Sequence, residues 1–64
     1  MKIIRRDAYA REKCDDTLVC ENVDKPYGNK IVEALNNDPN RYHEDWYKLV
    51  PDNYKLYKFI IKGV

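Results

Sequence analysis

The chain has 64 residues, of which 44% are hydrophobic and 36% are charged, and its formal net charge is +1. A chain of this length forms one small domain with a thin core, so residues 1–64 are treated as a single domain. The near balance of charge argues against attachment to nucleic acid or membrane through overall charge.

The sequence predicts neither a membrane span nor a signal peptide. No apolar run approaches the ~20 residues of a membrane span, and the basic start MKIIRR has no apolar stretch of the kind found in signal peptides. The two cysteines, Cys14 and Cys20, are too few for a disulfide framework and are expected to be free thiols. These observations favour a cytoplasmic protein that makes no contact with a membrane.

The first third of the chain predicts a β-hairpin. Two isoleucines open the segment Lys2–Asp7, and the segment Thr17–Val23 has the sequence TLVCENV, which is also typical of a strand. A polar cluster near Lys13–Asp16 favours a turn between them. Because the connection is short, the two strands are expected to be antiparallel.

The segment Asp24–Leu35 predicts the one helix. Asp24 is suited to the N-cap position and Pro26 is tolerated in the first turn. The helix is expected to end at the polar segment Asn36–Pro39, since a residue before proline avoids the helical conformation. The apolar side chains recur at the helical spacing and are expected to cover a sheet; they are Tyr27, Ile31, Ala34 and Leu35.

The last third predicts a second hairpin, formed by strands Trp46–Val50 and Tyr54–Ile61 with a turn at Pro51–Asn53. The element order is then β-β-α-β-β, an α+β fold with a small antiparallel sheet and one helix packed on one face. The last strand carries aromatic or apolar side chains on both of its faces, so the second face of the sheet is also expected to be partly covered. A homodimer is one explanation for this.

No arrangement of residues indicates an enzyme. His43 is the only histidine and lies in the polar segment RYHED, which is typical of a solvated loop. Neither metal-ligand spacing nor a glycine-rich phosphate loop is present, so no metal and no cofactor are expected. No nucleophile and base can be paired from the sequence, because it does not show whether Cys14 and His43 lie close together in space.

The surplus of aromatic residues points instead to binding. A protein partner would contact rings that a thin core leaves exposed; the candidates are Trp46, Tyr47, Tyr54 and Tyr57. The alternative is single-stranded nucleic acid stacked on a basic aromatic strand, whose candidates are Tyr54, Lys55, Tyr57, Lys58 and Phe59. Nucleic acid is the less favoured partner, because a small domain needs such rings in its core and the chain as a whole is not basic.

Two segments carry a resemblance to a known group of proteins. IVEALNN (Ile31–Asn37) and WYKLVPDNYKLYKF (Trp46–Phe59) resemble small uncharacterised proteins encoded by bacteriophages and prophages, over about half the chain. The shared pattern is helix, strand, Pro-Asp turn and strand, with no catalytic signature. The resemblance implies a non-enzymatic module that binds a host or phage macromolecule by occupying its surface.

Overall fold

The computed structural model describes residues 1–11 and 13–58. Within these residues the elements are β1 (Lys2–Asp7), β2 (Thr17–Cys20), α1 (Lys25–Asn36) and β3 (Asp45–Val50). The strands form one antiparallel sheet in the order β2-β1-β3, and α1 packs on one of its faces. The predicted α+β class and the predicted hairpin between β1 and β2 are therefore confirmed.

β1 is the central strand and runs along β3 in an unbroken register, with Arg5 opposite Tyr47. The pairing extends past the strand ends, where the Ala8 backbone N–H donates to the Glu44 carbonyl at 2.8 Å. Even-numbered residues of β3 therefore direct their backbone groups towards β1, as an antiparallel ladder requires. The N–H and C=O of Tyr47 point the other way, to the outer edge of the sheet.

The pairing of β1 with β2 contains an irregularity. Ile3 lies opposite Cys20 and Ile4 lies opposite Leu18, so Val19 has no partner in β1. One extra residue on one strand is the pattern of a β-bulge, which bends the strand and increases its local twist.

β2 ends at Cys20, three residues before the predicted end. Asn22 adopts a positive φ of 58°, a conformation that asparagine tolerates and that interrupts an extended strand. The chain then returns to the sheet, because the Val23 N–H donates to the Met1 carbonyl at 2.9 Å.

Both faces of the sheet are covered at its centre. Ile3 and Ile4 are fully buried and Val50 is 3% exposed. Successive residues of a strand point to opposite faces, so Ile3 lies beneath α1 while Ile4 lies on the far face. The expectation that the second face is partly covered is confirmed for this part of the sheet.

The predicted second hairpin is wrong over the described residues. The turn is present, since the Tyr54 N–H donates to the Pro51 carbonyl at 3.0 Å. Residues 54–58 nevertheless form no strand, and β3 pairs with β1 instead. The remaining part of the predicted strand, residues 59–61, lies outside the described residues.

The physical reason is that side chains occupy the outer edge of β3. The Asn36 side-chain amide donates to the Tyr47 carbonyl and accepts from the Tyr47 N–H, both at 2.9 Å. The Arg41 guanidinium donates to the Asp45 carbonyl at 2.6 Å. These are the backbone groups that a hairpin partner of β3 would need, and covering them also protects an edge strand from unwanted pairing.

α1 begins and ends close to its predicted limits. Asp24 takes the N-cap position with an extended backbone, although its side chain makes no capping hydrogen bond. Pro26 lies in the first turn, where a missing N–H costs nothing. At the other end the Asn37 N–H donates to the Glu33 carbonyl at 3.0 Å.

The predicted inward face of α1 is wrong for Tyr27, Ile31 and Ala34 and correct for Leu35. Tyr27 is 65% exposed, Ile31 is 41% exposed and Ala34 is also exposed. The helix is rotated by about one residue, so the side turned towards the sheet consists of Gly28, Val32, Leu35 and Asn36.

Close packing at Gly28 explains the rotation. A Cβ atom on this residue would lie 2.6 Å from Leu49 Cδ1 and 3.2 Å from Val23 Cγ1. The absence of a side chain lets the helix backbone approach β3 closely. The bonds from Asn36 to the edge of β3 fix the same orientation two turns later.

Candidate binding surfaces

Asp16 is the centre of a buried polar cluster that holds the segment after β3 against the sheet. Its side chain is 3% exposed, and its Oδ2 accepts from the Tyr54 hydroxyl at 2.8 Å and from the Tyr57 N–H at 2.9 Å. The Asp16 N–H donates to the Tyr57 carbonyl at 2.8 Å, and Arg6 Nε lies 3.6 Å from Asp16 Oδ1. The hydrogen bond to Asp16 raises the pKa of Tyr54.

A second cluster closes the end of the sheet where β1 ends. Arg11 donates to both carboxylate oxygens of Asp7, at 2.7 and 2.8 Å, and its backbone N–H adds a third bond. These bonds from Arg11 lower the pKa of Asp7 to about 2 and raise the pKa of Arg11. Glu44 lies 3.8 Å from the same guanidinium.

Arg5 forms a similar pair on the helix side of β1. Its guanidinium donates to Asp45 Oδ1 at 2.8 Å and to the Thr17 hydroxyl at 2.9 Å. The hydrogen bond to Asp45 raises the pKa of Arg5. Charged residues at this end of the sheet are therefore held as structural pairs, and no buried side-chain polar atom among the described residues lacks a partner.

Cys14 lies between these clusters and lines two shallow clefts, of about 250 and 270 Å³. His43 is an exposed loop residue and is not among the residues that line either cleft. Both cysteines are free thiols. Among residues 1–11 and 13–58 no three potential metal ligands are grouped, and no helix there is long and apolar enough to cross a membrane.

An aromatic cleft lies on the face of the sheet opposite α1. Trp46 is 47% exposed, and the Arg41 guanidinium carbon lies 5.5 Å from the centre of its ring. Arg41 is itself held by hydrogen bonds to the Asn36 and Asp45 carbonyls at 2.9 and 2.6 Å. The cleft has a volume of about 460 Å³, and we call it the Trp46 cleft; it is lined by Arg6, Asp7, Ala8, Ala10, Trp46 and Lys48.

The predicted protein-binding residues do not share one surface. Trp46 and Tyr47 are neighbours in β3 and therefore point to opposite faces of the sheet. Tyr54 and Tyr57 are brought together at Asp16. Tyr57 is 42% exposed, whereas Tyr54 is half-buried.

The predicted nucleic-acid set is only partly described. Lys55 and Lys58 are exposed, and Phe59 lies outside the described residues. Arg6, Lys48 and Arg41 were not predicted as neighbours of an aromatic ring. For Lys48 the sequence holds a signal, since its position two residues after Trp46 in a strand places both side chains on one face. Arg6 and Arg41 lie in other segments and have no such signal.

A second surface lies beside α1 and was missed because the helix face was misassigned. The Asn36 side chain reaches the outer edge of β3. Tyr27 lies nine positions earlier, which is two and a half turns of an α-helix, so its side chain points in the opposite direction around the helix axis. Tyr27 and Ile31 therefore lie on the side of α1 away from the outer edge of β3, and both are exposed. α1 packs over β3 and the margin of β1 and does not reach β2.

We call this surface the α1–β2 shelf; it comprises Val19, Cys20, Tyr27 and Ile31. Val19 is 45% exposed and Cys20 is half-buried. The neighbouring acidic residues Glu21 and Asp24 are exposed, so the shelf has an acidic rim. The sequence signal for this rim is the stretch Cys14–Asp24, which contains four acidic residues and no basic one.

No family model matches the chain, and comparisons with curated proteins and with solved structures find no similar protein. The resemblance to phage-encoded proteins therefore stays a prediction.

Proposed function

We propose that the protein is a non-enzymatic protein-binding module whose α1–β2 shelf receives a basic amphipathic helix of a partner. The observation that carries this proposal is the exposure of Tyr27 and Ile31 on α1 and of Val19 on β2, a strand that α1 does not reach. Apolar side chains grouped in this way are typical of an interaction surface. Binding of an amphipathic helix by its apolar side is a common recognition mode.

The geometry supports a helix as the occupant. Neighbouring strands lie about 4.8 Å apart, and packed helices lie about 8–10 Å apart. α1 sits over β3 and the margin of β1. A second helix at that spacing would lie over β2, beside Tyr27 and Ile31, and would complete the layer that α1 begins.

Charge supports a basic partner. The exposed carboxylates of Glu21 and Asp24 form the acidic rim of the shelf. Lysine or arginine on the rim of an incoming helix would meet complementary charge, which mainly favours the rate and specificity of association.

The free thiols of Cys14 and Cys20 support a reducing compartment, and we place the protein in the cytoplasm. A phage or prophage origin, with a host or phage macromolecule as the partner, belongs to the same proposal. A second copy of the chain is a competing occupant of the shelf.

The test uses designed peptides as probes. A helical peptide of about 18 residues, long enough to form a stable helix, carries leucine on one face and lysine on the other. A peptide of the same composition with its leucines dispersed is the first control, and a leucine-glutamate helix is the second. Calorimetric titration is expected to show binding of the leucine-lysine helix alone.

Variants then locate the binding site. Ile31→Ser and Tyr27→Ser leave the charge unchanged and are expected to weaken binding about tenfold, the effect of losing roughly 1.4 kcal/mol of contact. Tyr42→Ser is the matched control, because Tyr42 is 77% exposed in the loop after α1. Equal binding of the dispersed peptide, or no effect of Ile31→Ser, would overturn the proposal. A stable dimer in light scattering that Ile31→Ser dissociates would assign the shelf to a second copy instead.

A further inference from the structure

We propose that the Trp46 cleft binds a nucleobase together with its phosphate, as an exposed strand of single-stranded nucleic acid presents them. This site lies on the opposite face of the sheet from the α1–β2 shelf. It therefore adds a second ligand to the protein-binding function and does not depend on it.

Trp46 is arranged as a stacking platform. The Arg41 guanidinium lies over the ring at 5.5 Å, and its bonds to two backbone carbonyls keep it there. The ring also lines the cleft and is 47% exposed. A base that stacks on an aromatic ring gains affinity with little sequence preference, because every base has a π face.

Two cations line the same cleft. Lys48 lies two residues after Trp46 and points to the same face, and Arg6 lies directly opposite Trp46 in the register of β1 and β3. Lys48 is exposed and has access to a ligand. The Arg6 side chain is 41% exposed, and its Nε also lies 3.6 Å from the buried Asp16 carboxylate, so Arg6 is shared between the Asp16 cluster and the cleft. Phosphate oxygens are the ligands that lysine and arginine bind most readily in such grooves.

The acidic residue of the cleft is neutralised. Asp7 accepts three hydrogen bonds from Arg11, and its side chain is 5% exposed. A phosphate bound to Arg6 and Lys48 therefore meets a carboxylate whose charge is already compensated. Because Arg6 lies near Asp16 and Arg11 is paired with Asp7, Lys48 is the cation of the cleft that favours an anion at this position.

The shape of the cleft agrees with a ligand of this size. Its volume of about 460 Å³ falls within the range of roughly 300–1,000 Å³ found for small-molecule sites. Ala8 and Ala10 form part of the wall of the cleft, and their small side chains leave the cleft open. Ala10 has a φ of 53°, a left-handed conformation that costs energy for alanine and that is found preferentially at functional sites.

The site differs from the predicted basic aromatic strand. The hydroxyl of Tyr54 and the backbone of Tyr57 are held by Asp16, so this segment is not an open strand on which bases stack. The combination of ring and lysine that was predicted there recurs at Trp46 and Lys48.

Trp46 is the only tryptophan of the chain, so its fluorescence reports directly on the cleft. Oligothymidine of about eight nucleotides, within the usual site size of small single-strand binders, is titrated at about 0.05 and 0.2 M salt. Thymidine monophosphate is titrated in parallel. Quenching that weakens at the higher salt is the expected result, and the absence of quenching at low salt would overturn the proposal.

The two nucleotide probes distinguish the source of the ligand. Tighter binding of the oligonucleotide supports single-stranded nucleic acid, whereas equal affinity for the monophosphate supports the same base-phosphate site but overturns the strand as its source. An acidic peptide of glutamate and tyrosine is the third probe. Equal quenching by this peptide would overturn the proposal in favour of an acidic protein partner.

Variants assign the binding to the cleft. Lys48→Gln removes one phosphate contact and is expected to lower the slope of log affinity against log salt by about 1. Lys30→Gln removes the same charge from α1 and is the matched control, which leaves the affinity unchanged. Trp46→Ala, followed with a labelled oligonucleotide, is expected to weaken binding at least about fivefold. Equal effects of Lys48→Gln and Lys30→Gln would show attraction to net charge alone and would overturn the proposal.

Discussion

Asp16 joins three parts of the chain at the scale of a single residue. Its carboxylate accepts from the Tyr54 hydroxyl and the Tyr57 N–H and lies near Arg6. The residue precedes β2, so it ties the hairpin to the segment that follows β3. The hydrogen bonds from several donors offset the cost of burying this carboxylate. Its removal leaves those donors without an acceptor.

Asp16→Ala is therefore expected to lower the free energy of unfolding by about 2 kcal/mol, since two partly buried donors lose their acceptor. Tyr54→Phe removes one of these bonds and is expected to cost about 1 kcal/mol. Glu21→Ala, which alters an exposed carboxylate in the same acidic stretch, is the control. Urea denaturation measures all three, and equal losses for Asp16→Ala and Glu21→Ala would contradict this role.

The pair of Asp7 and Arg11 predicts a dependence of stability on acid. The pKa of Asp7 is lowered from 3.8 to about 2 in the folded protein, so the folded state favours the ionised carboxylate. Its contribution is present above pH 3.8 and is lost as the pH falls towards about 2. Protonation at the lower pH removes the acceptor that Arg11 requires.

Carbon-detected NMR of the Asp7 carboxyl measures this pKa directly. Wild type is expected to titrate near 2, and Arg11→Gln is expected to return the pKa towards 3.8. The stability of wild type should accordingly fall more steeply than that of Arg11→Gln between these two pH values. An ordinary pKa for Asp7 in wild type would contradict the geometry of the pair.

The elements show which features the sequence specifies by itself. The residues of β1 and the start of β2 follow from short apolar runs bounded by polar residues, and the limits of α1 follow from Asp24, Pro26 and the polar segment after Leu35. Such local signals need no knowledge of packing. The same holds for the turn at Pro51.

The orientation of α1 depends on residues distant in sequence. The apolar spacing of Tyr27 and Ile31 resembles a core face, but the absent side chain of Gly28 accommodates Leu49. Asn36 is polar and would be assigned to solvent, yet it bonds the backbone of Tyr47. Neither contact has a local signal, so of the predicted inward face only Leu35 lies on the side turned towards the sheet.

Two neighbouring substitutions test the orientation of the helix. Val32→Asp places a charge on the side that faces the sheet and is expected to cost about 2 kcal/mol or more. Ile31→Asp makes the same change on the flank and is expected to cost less than about 1 kcal/mol. Urea denaturation of both variants gives the comparison, and a larger loss for Ile31→Asp would restore the face predicted from the sequence.

The predicted fourth strand shows how one element affects another. Aromatic and apolar residues from Tyr54 onwards favour a strand, but Asn36 and Arg41 already cover the edge of β3. Asp16 instead binds the backbone of Tyr57. The turn at Pro51 was predicted correctly because its signal is local. The sequence could not identify Asn36, Arg41 and Asp16 as the side chains that compete with a fourth strand.

At the scale of the whole molecule, the two candidate surfaces lie on opposite faces of the sheet. The α1–β2 shelf is apolar with an acidic rim, and the Trp46 cleft is aromatic with cations at Arg6 and Lys48. A net charge of +1 hides this separation, because the two signs nearly cancel over the chain. The sequence indicated the blocks of charge and the surplus of aromatic rings, but not which of them share a face.

The most direct test of the account is a map of amide chemical shifts in labelled protein, first with the leucine-lysine helix and then with the oligothymidine. The peptide is expected to shift amides of β2 and of α1 around Tyr27 and Ile31, whereas the oligonucleotide is expected to shift those around Trp46, Lys48 and Arg6. The two sets would then lie on opposite faces of the sheet. A single shared set for both probes, or shifts confined to neither surface, would contradict the assignment of two separate binding surfaces.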